Sequence, residues 1–140
     1  MQARRLFGPR GLVLRVMVPQ TRRERMRGLR GHPMLAVDQA LLLERTRSIH
    51  TFGMRFPIAV VQLDRDLIVR SVRPVRPGRL LLPGFGIRHT LECASGVDLR
   101  PGDRLRNVRT DTEARRAAAI LPGAAPGPGA GCGRDRAPIV

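Results

Sequence analysis

Four side chains capable of chemistry stand close together near the middle of the chain: His50, Thr51, Met54 and Arg55. A histidine beside a hydroxyl and a guanidinium can bind an anion or transfer a proton. The chain then enters an apolar run, so this polar corner is predicted to lead into a buried strand. A histidine at a strand end is more often a hydrogen-bonded structural residue. Both interpretations stay open, because one sequence shows no convergent partner.

The carboxylate of Glu92, in a predicted strand over residues 90–94, is the second candidate for chemistry. Its ordinary role is a structural ion pair, with Arg55 or Arg88 as the partner. The alternative is general acid–base catalysis together with His50, in a small hydrolase or transferase. That alternative requires both side chains to converge on one cleft.

The remaining histidines and the two cysteines form no recognisable metal site, so no metal or cofactor is predicted. His32 and His89 are isolated and are predicted to be surface or turn residues. Cys93 lies in an apolar run and is expected to be an inert core residue. Cys132 lies in a Gly-rich segment, so a disulfide between the two is not expected. This cysteine usage favours a reduced, cytoplasmic location.

The formal net charge is +15, and all 26 basic residues are arginine. Such a charge attracts polyanions, which makes nonspecific nucleic-acid binding an alternative function. The chain has no Trp or Tyr and only four Phe, so stacking platforms are scarce. We therefore expect at most weak, salt-sensitive binding without sequence preference. A GC-rich coding background is the competing explanation for the absence of lysine.

Short apolar runs between Gly- and Pro-rich turns predict a mainly β fold (α+β): a small antiparallel β sandwich or barrel with one short N-terminal helix. Strands are predicted over residues 12–18, 40–43, 58–63, 67–75, 90–94 and 104–108, and residues 80–82 form a short apolar patch. Thr21 and Glu24 have capping-box spacing and begin the helix. Met26 and Leu29 are expected to share its buried stripe.

The domain is predicted to span residues 11–108, after a flexible N-terminal segment over residues 1–10. Thr110 and Glu113 repeat the capping-box spacing, which predicts a short helix over residues 109–121. Residues 122–140 are mostly Pro, Gly and Ala and are expected to be disordered. The pair Arg4-Arg5 resembles a twin-arginine signal, but the apolar run after it is too short. No segment reaches the roughly 20 apolar residues of a membrane span.

Four ordered segments of this chain resemble the domain of unknown function 192 family, an uncharacterised family of bacteria and archaea. They are residues 21–29 (TRRERMRGL), residues 48–58 (SIHTFGMRFPI), residues 91–96 (LECASG) and the Gly102-Asp103 turn. The resemblance covers nearly the whole predicted domain and implies a compact, mainly β fold. It implies no activity, cofactor or substrate.

Two positions depart from the family pattern. The family usually has an Asp after the Pro-Ile pair, where this chain has Ala59. If that carboxylate serves a function in the family, this chain lacks it. Cys93 stands where the family more often has an ordinary apolar residue.

The sequence thus favours a non-catalytic binding or accessory module whose partner is an unknown small ligand or protein. Its shallow polar site is predicted at five residues: His50, Thr51, Met54, Arg55 and Glu92. Nonspecific nucleic-acid binding and a hydrolase or transferase using His50 and Glu92 are the alternatives.

Overall fold

A computed structural model describes residues 1–108 of the 140-residue chain. These residues form nine strands and one short helix, α1 (Arg22–Arg27). In chain order the strands are β1 (Gln2–Phe7), β2 (Val13–Val18), β3 (Gln39–Leu43), β4 (Ile49–His50), β5 (Ile58–Leu63), β6 (Val69–Val75), β7 (Leu80–Leu81), β8 (His89–Ala94) and β9 (Arg106–Val108). The predicted helix over residues 109–121 and the tail over residues 122–140 lie outside the described residues.

Seven strands form one sheet in the order β6-β5-β8-β3-β2-β1-β9, and β4 pairs with β7 separately. The pairing of β2 with β3 is parallel, whereas the other strand pairs are antiparallel. The sheet curls until the start of β6 meets the segment before β9. There the Val69 N–H donates to the Asp103 carbonyl at 2.8 Å, and the Gly102 N–H donates to the Val69 carbonyl at 2.7 Å. The mainly β class is confirmed, and the architecture is a curled half-barrel with almost no helix.

The two faces of the sheet carry separate apolar clusters because successive side chains on a strand point to opposite sides. The first cluster takes residues from β1 across to β6, as expected for the inside of a curl. The second packs β3, β4 and β5 against Leu29 and Leu35, which follow α1. Strand β5 is buried at all six positions, as its nearly continuous apolar character predicts. It forms a hairpin with β6, as the polar break Asp64-Arg65-Asp66 between the two apolar runs indicates.

The N-terminal residues are ordered, contrary to our expectation of a flexible segment. Strand β1 occupies Gln2–Phe7 and pairs with both β2 and β9. Leu6 and Phe7 are buried, so this strand contributes to the core. The sequence signal was masked by Arg4 and Arg5, which interrupt the apolar pattern.

Helix α1 contributes nothing to the core, which corrects the expected buried stripe. The capping box is present: the Glu24 N–H donates to the Thr21 hydroxyl, and the Glu24 carboxylate accepts from the Thr21 N–H. Met26 is 58% exposed and no helical residue is buried. Leu29 is buried, but it lies beyond the helix end at Gly28. Among the described residues no helix is long and apolar enough to cross a membrane.

Candidate functional site

An open cavity of about 510 Å³ lies between the α1 region and the second apolar cluster. Four arginines form its rim, and we refer to them as the rim arginines: Arg22, Arg25, Arg27 and Arg30. Other lining residues are Met26, Gly28, Leu29, Leu43, Thr46, Ser48, Ile49, His50, Phe52, Met54 and Glu92. All four rim arginines are exposed, whereas Glu92 is only 4% exposed. The cavity therefore runs from a basic mouth to an acidic floor.

The rim is positioned by the end of α1 and the turn that follows it. Gly28 ends the helix with φ of +49°, a conformation that favours glycine, and its N–H donates to the Glu24 carbonyl at 2.9 Å. Leu29 then anchors the chain in the second cluster. Arg30 passes close to Gly53, where a Cβ would lie 3.1 Å from the Arg30 Cδ atom. The lack of a side chain at Gly53 thus lets its loop lie close to the side chain of Arg30.

The floor carries a carboxylic acid in apolar surroundings. Glu92 lies on β8 directly between Leu41 of β3 and Val60 of β5, both fully buried. Its Oε2 atom is buried and has no hydrogen-bond partner in the part of the chain that the structure describes. Burial disfavours the charged form and raises the pKa of Glu92 from 4.5 to about 7.

Glu92 differs from the other acids within residues 1–108 because it forms no salt bridge there. Each of the other seven takes part in a salt bridge: Glu24, Asp38, Glu44, Asp64, Asp66, Asp98 and Asp103. The ion pair expected between Glu92 and Arg55 or Arg88 is not formed there. Burial of Glu92 between two apolar side chains, with Arg55 and Arg88 exposed, explains the difference.

The rim arginines also lack carboxylate partners among residues 1–108, where no salt bridge includes them. Arg30 donates from one guanidinium nitrogen to the Met26 carbonyl at 2.9 Å. The nearest acid in sequence, Glu24, is already engaged by the N-terminal amine of Met1 at 2.8 Å and by the N–H groups of Gln20 and Thr21. These contacts lower the pKa of Glu24 to about 2. The guanidinium groups at the mouth thus remain available to an external anion.

The four clustered residues of the predicted site are divided by the fold. His50 and Met54 line the cavity, and His50 stacks on Phe52 with ring centroids 5.1 Å apart. Thr51 is buried outside the lining; its hydroxyl donates to the Arg76 carbonyl at 2.7 Å and accepts from the Arg79 N–H at 2.9 Å. Arg55 is exposed and is not part of the lining.

Glu92 joins His50 and Met54 in the lining from a distant part of the sequence. The rim arginines were not among the site residues predicted from the sequence. The available signal was the density of arginine in this segment, four of six residues, directly after a helix cap. That signal indicates a basic surface but does not show that a cavity lies beneath it.

His89, Cys93 and Ala59 all lie on strands of the large sheet. His89 is half-buried on β8, where its Nδ1 atom accepts from the Arg45 N–H at 3.1 Å, so it is not a surface or turn residue. Cys93 is fully buried, and burial raises the pKa of its thiol to about 12. Ala59 lies opposite Cys93 and belongs to the first cluster. Both departures from the family pattern are therefore on the face of the sheet away from the cavity.

The family model of DUF192, described as Uncharacterized ACR, matches residues 6–107. The chain belongs to the DUF192 family. No curated protein matches it significantly. Two solved structures are similar to this DUF192 chain, and at their low identity they show the fold alone. A protein of unknown function from Novosphingobium aromaticivorans has a TM-score of 0.65 and 18% identity, covering 74% of this chain and 83% of that one. A putative transcription regulator from Sinorhizobium meliloti has a TM-score of 0.66 and 20% identity, covering 76% and 94%.

Proposed function

We propose that this protein is a non-catalytic binding module that captures a small molecule with an anionic group in the cavity next to α1. The rim arginines carry the proposal, because four exposed arginines without a carboxylate partner in residues 1–108 line one cavity. Guanidinium groups bind carboxylate and phosphate through paired hydrogen bonds. His50 extends the polar side of this opening.

The apolar wall sets the second requirement on the ligand. Leu29, Leu43, Ile49 and Met54 line the cavity below the arginines. Small-molecule sites are typically concave and mostly apolar, with a few polar groups that orient the ligand. A short hydrocarbon chain with one anionic end group therefore satisfies both parts of the cavity.

Hexyl phosphate is a suitable probe, with hexanol as its uncharged counterpart. Isothermal titration calorimetry should detect hexyl phosphate binding and little or no hexanol binding. Combined replacement of the four rim arginines by Ala should weaken binding roughly tenfold or more, because hydrogen bonds between charged groups are lost. Alanine favours helix, so α1 should persist in this variant.

Arg23 supplies the matched control, since it is exposed on α1 but does not line the cavity. Arg23→Ala should bind hexyl phosphate as the wild type does, whereas Arg25→Ala should bind it less tightly. Equal losses in both variants would mean that general charge attraction, and not the cavity, holds the anion. Absence of any binding by the wild type would reject the proposal.

Nonspecific nucleic-acid binding is a second candidate, supported by a second basic surface. Arg73, Arg76 and Arg79 line a shallow cavity of about 370 Å³ beside β7. One of the similar structures is described as a putative transcription regulator. A fluorescence-anisotropy titration of duplex DNA at rising salt tests this function: affinity should fall steeply with salt. No measurable affinity at low salt would exclude it.

Acid–base catalysis is a third candidate, supported by the placement of His50 and Glu92 on one cavity. A buried acid with a pKa of about 7 is suited to proton transfer near neutral pH. Hydrolysis of p-nitrophenyl acetate or p-nitrophenyl phosphate that is lost in Glu92→Gln would support it. Equal hydrolysis rates in wild type and variant would count against it.

A further inference from the structure

We infer that the ligand is dipolar: an ammonium group reaches Glu92 at the floor of the cavity while the anionic group lies among the rim arginines. This inference rests on the proposed function, because the anion-binding mouth supplies one end of the ligand. It adds the chemistry of the other end, and hence the orientation of the ligand.

The carboxylate of Glu92 is buried and lacks a partner within residues 1–108. It is the single acid within residues 1–108 that forms no salt bridge, and its Oε2 atom has no hydrogen-bond partner there. Buried polar atoms without partners are uncommon in proteins and are costly. Glu92 also lines the cavity, so a donor that enters the cavity is the most direct partner for this carboxylate.

Groups of opposite charge line the cavity without pairing with each other in residues 1–108. The rim arginines and Glu92 line the same cavity, yet no ion pair joins them in the described part of the chain. A ligand with a positive end and a negative end would be held at both ends in one orientation only. The reversed orientation would place like charges together at the floor and at the mouth, and it is therefore disfavoured.

The apolar neighbours of Glu92 decide between an ammonium group and a metal ion. Leu41 and Val60 flank its side chain on the sheet and offer no further ligand atoms. No group of three or more His, Cys, Asp or Glu residues within residues 1–108 is placed to hold a metal ion. A single carboxylate gives an ammonium group a strong charged hydrogen bond, whereas hard cations need about six oxygen ligands.

A series of linear ω-amino carboxylates, from butanoate to octanoate, tests this inference against the matching acids without the amine. In calorimetry, at least one amino acid of the series should bind the wild type roughly tenfold or more tightly than its partner acid, as a charged hydrogen bond predicts. The acids differ in chain length because the distance from the rim arginines to Glu92 determines which length reaches both ends of the cavity. This comparison on the wild type needs no variant to fold.

Glu92→Gln should remove this preference, because the amide keeps the shape of the side chain without its charge. Glu44→Gln is the matched control: Glu44 is ion-paired with Arg4 at 2.6 Å and does not line the cavity. That control should retain the preference. Chemical-shift changes at the Glu92 carboxylate carbon should accompany binding of the amino acid but not of the plain acid.

The possible outcomes separate the two proposals. If both kinds of acid bind equally and the rim arginines are needed, anion capture stands and the ammonium inference is rejected. A preference for the amine that survives in Glu92→Gln would also reject the inference. If no acid of either kind binds but hexyl phosphate does, anion capture stands and the ammonium inference is rejected. If hexyl phosphate does not bind either, both proposals fail.

Discussion

Glu92 and Leu41 lie directly opposite each other on β8 and β3, so a carboxylic acid occupies the centre of the sheet beside a fully buried leucine. The acid receives no hydrogen bond at its Oε2 atom from residues 1–108. Such a pairing costs stability, and residues that lower stability are commonly kept for function. In the proposed function, a ligand bound in the cavity above Glu92 would compensate for this cost.

The stability of the protein should depend on pH through Glu92. Its pKa is 4.5 in an unfolded chain and about 7 in the folded protein, so between these values the unfolded state releases the proton and the folded state keeps it. The contribution of Glu92 to stability is therefore fully present below pH 4.5, falls as the pH rises towards 7, and levels off above that. The loss is about 3 kcal/mol in free energy of unfolding, at 1.36 kcal/mol for each pKa unit.

Chemical denaturation of wild type and Glu92→Gln at several pH values measures this effect. The variant cannot ionise at this position, so its stability relative to wild type should increase between pH 4.5 and 7. Taking the difference cancels contributions from Asp64 and Asp103, whose lowered pKa values act in the opposite direction. A difference that stays constant with pH would show that Glu92 ionises normally.

The divided polar corner predicts different effects for His50 and Arg55. Removing His50 takes away a residue of the cavity lining and its stacked contact with Phe52. His50→Ala should weaken hexyl phosphate binding by roughly twofold to tenfold, the range expected for one hydrogen bond. Arg55→Ala should bind as the wild type does, because Arg55 lies outside the lining. Calorimetry on both variants measures this contrast, and a greater loss in Arg55→Ala would place the ligand elsewhere.

Thr51 should matter for stability and not for binding. Its hydroxyl joins the chain after β4 to the segment before β7, through the Arg76 carbonyl and the Arg79 N–H. Thr51→Val should lower the free energy of unfolding by about 1–3 kcal/mol, since both groups lose a buried partner. Thr51→Ser keeps the hydroxyl and should cost less. If urea denaturation finds the two variants equally stable, the hydroxyl does not hold this loop.

The Cys93 thiol should be unreactive in the folded protein. The side chain is fully buried, and the raised pKa of about 12 keeps it protonated at neutral pH. Iodoacetamide treatment followed by peptide mass spectrometry should find Cys93 unmodified in native protein and modified after denaturation. Rapid modification under native conditions would mean that β8 opens readily.

Local patterns in the sequence were sufficient to predict several elements of the fold. The apolar run of β5, its hairpin with β6 and the Thr21–Glu24 cap each depend on residues close together in the chain. Four ordered motifs were also sufficient to indicate the family, which the match over residues 6–107 confirms. Strand β1 was missed because arginines interrupt its pattern, although its pairing with β2 and β9 holds it in the sheet.

The sequence by itself determined a mainly β domain with a polar corner at His50, because side-chain periodicity and capping act over a few residues. Only the tertiary structure decided which polar groups meet. Glu92 faces the cavity because strand register places it beside Leu41 and Val60, on the same face of the sheet. A shift of one residue would turn it to the opposite face. The rim arginines reach the same cavity because Leu29 anchors the chain after α1 in the second cluster, a long-range contact that no local pattern encodes.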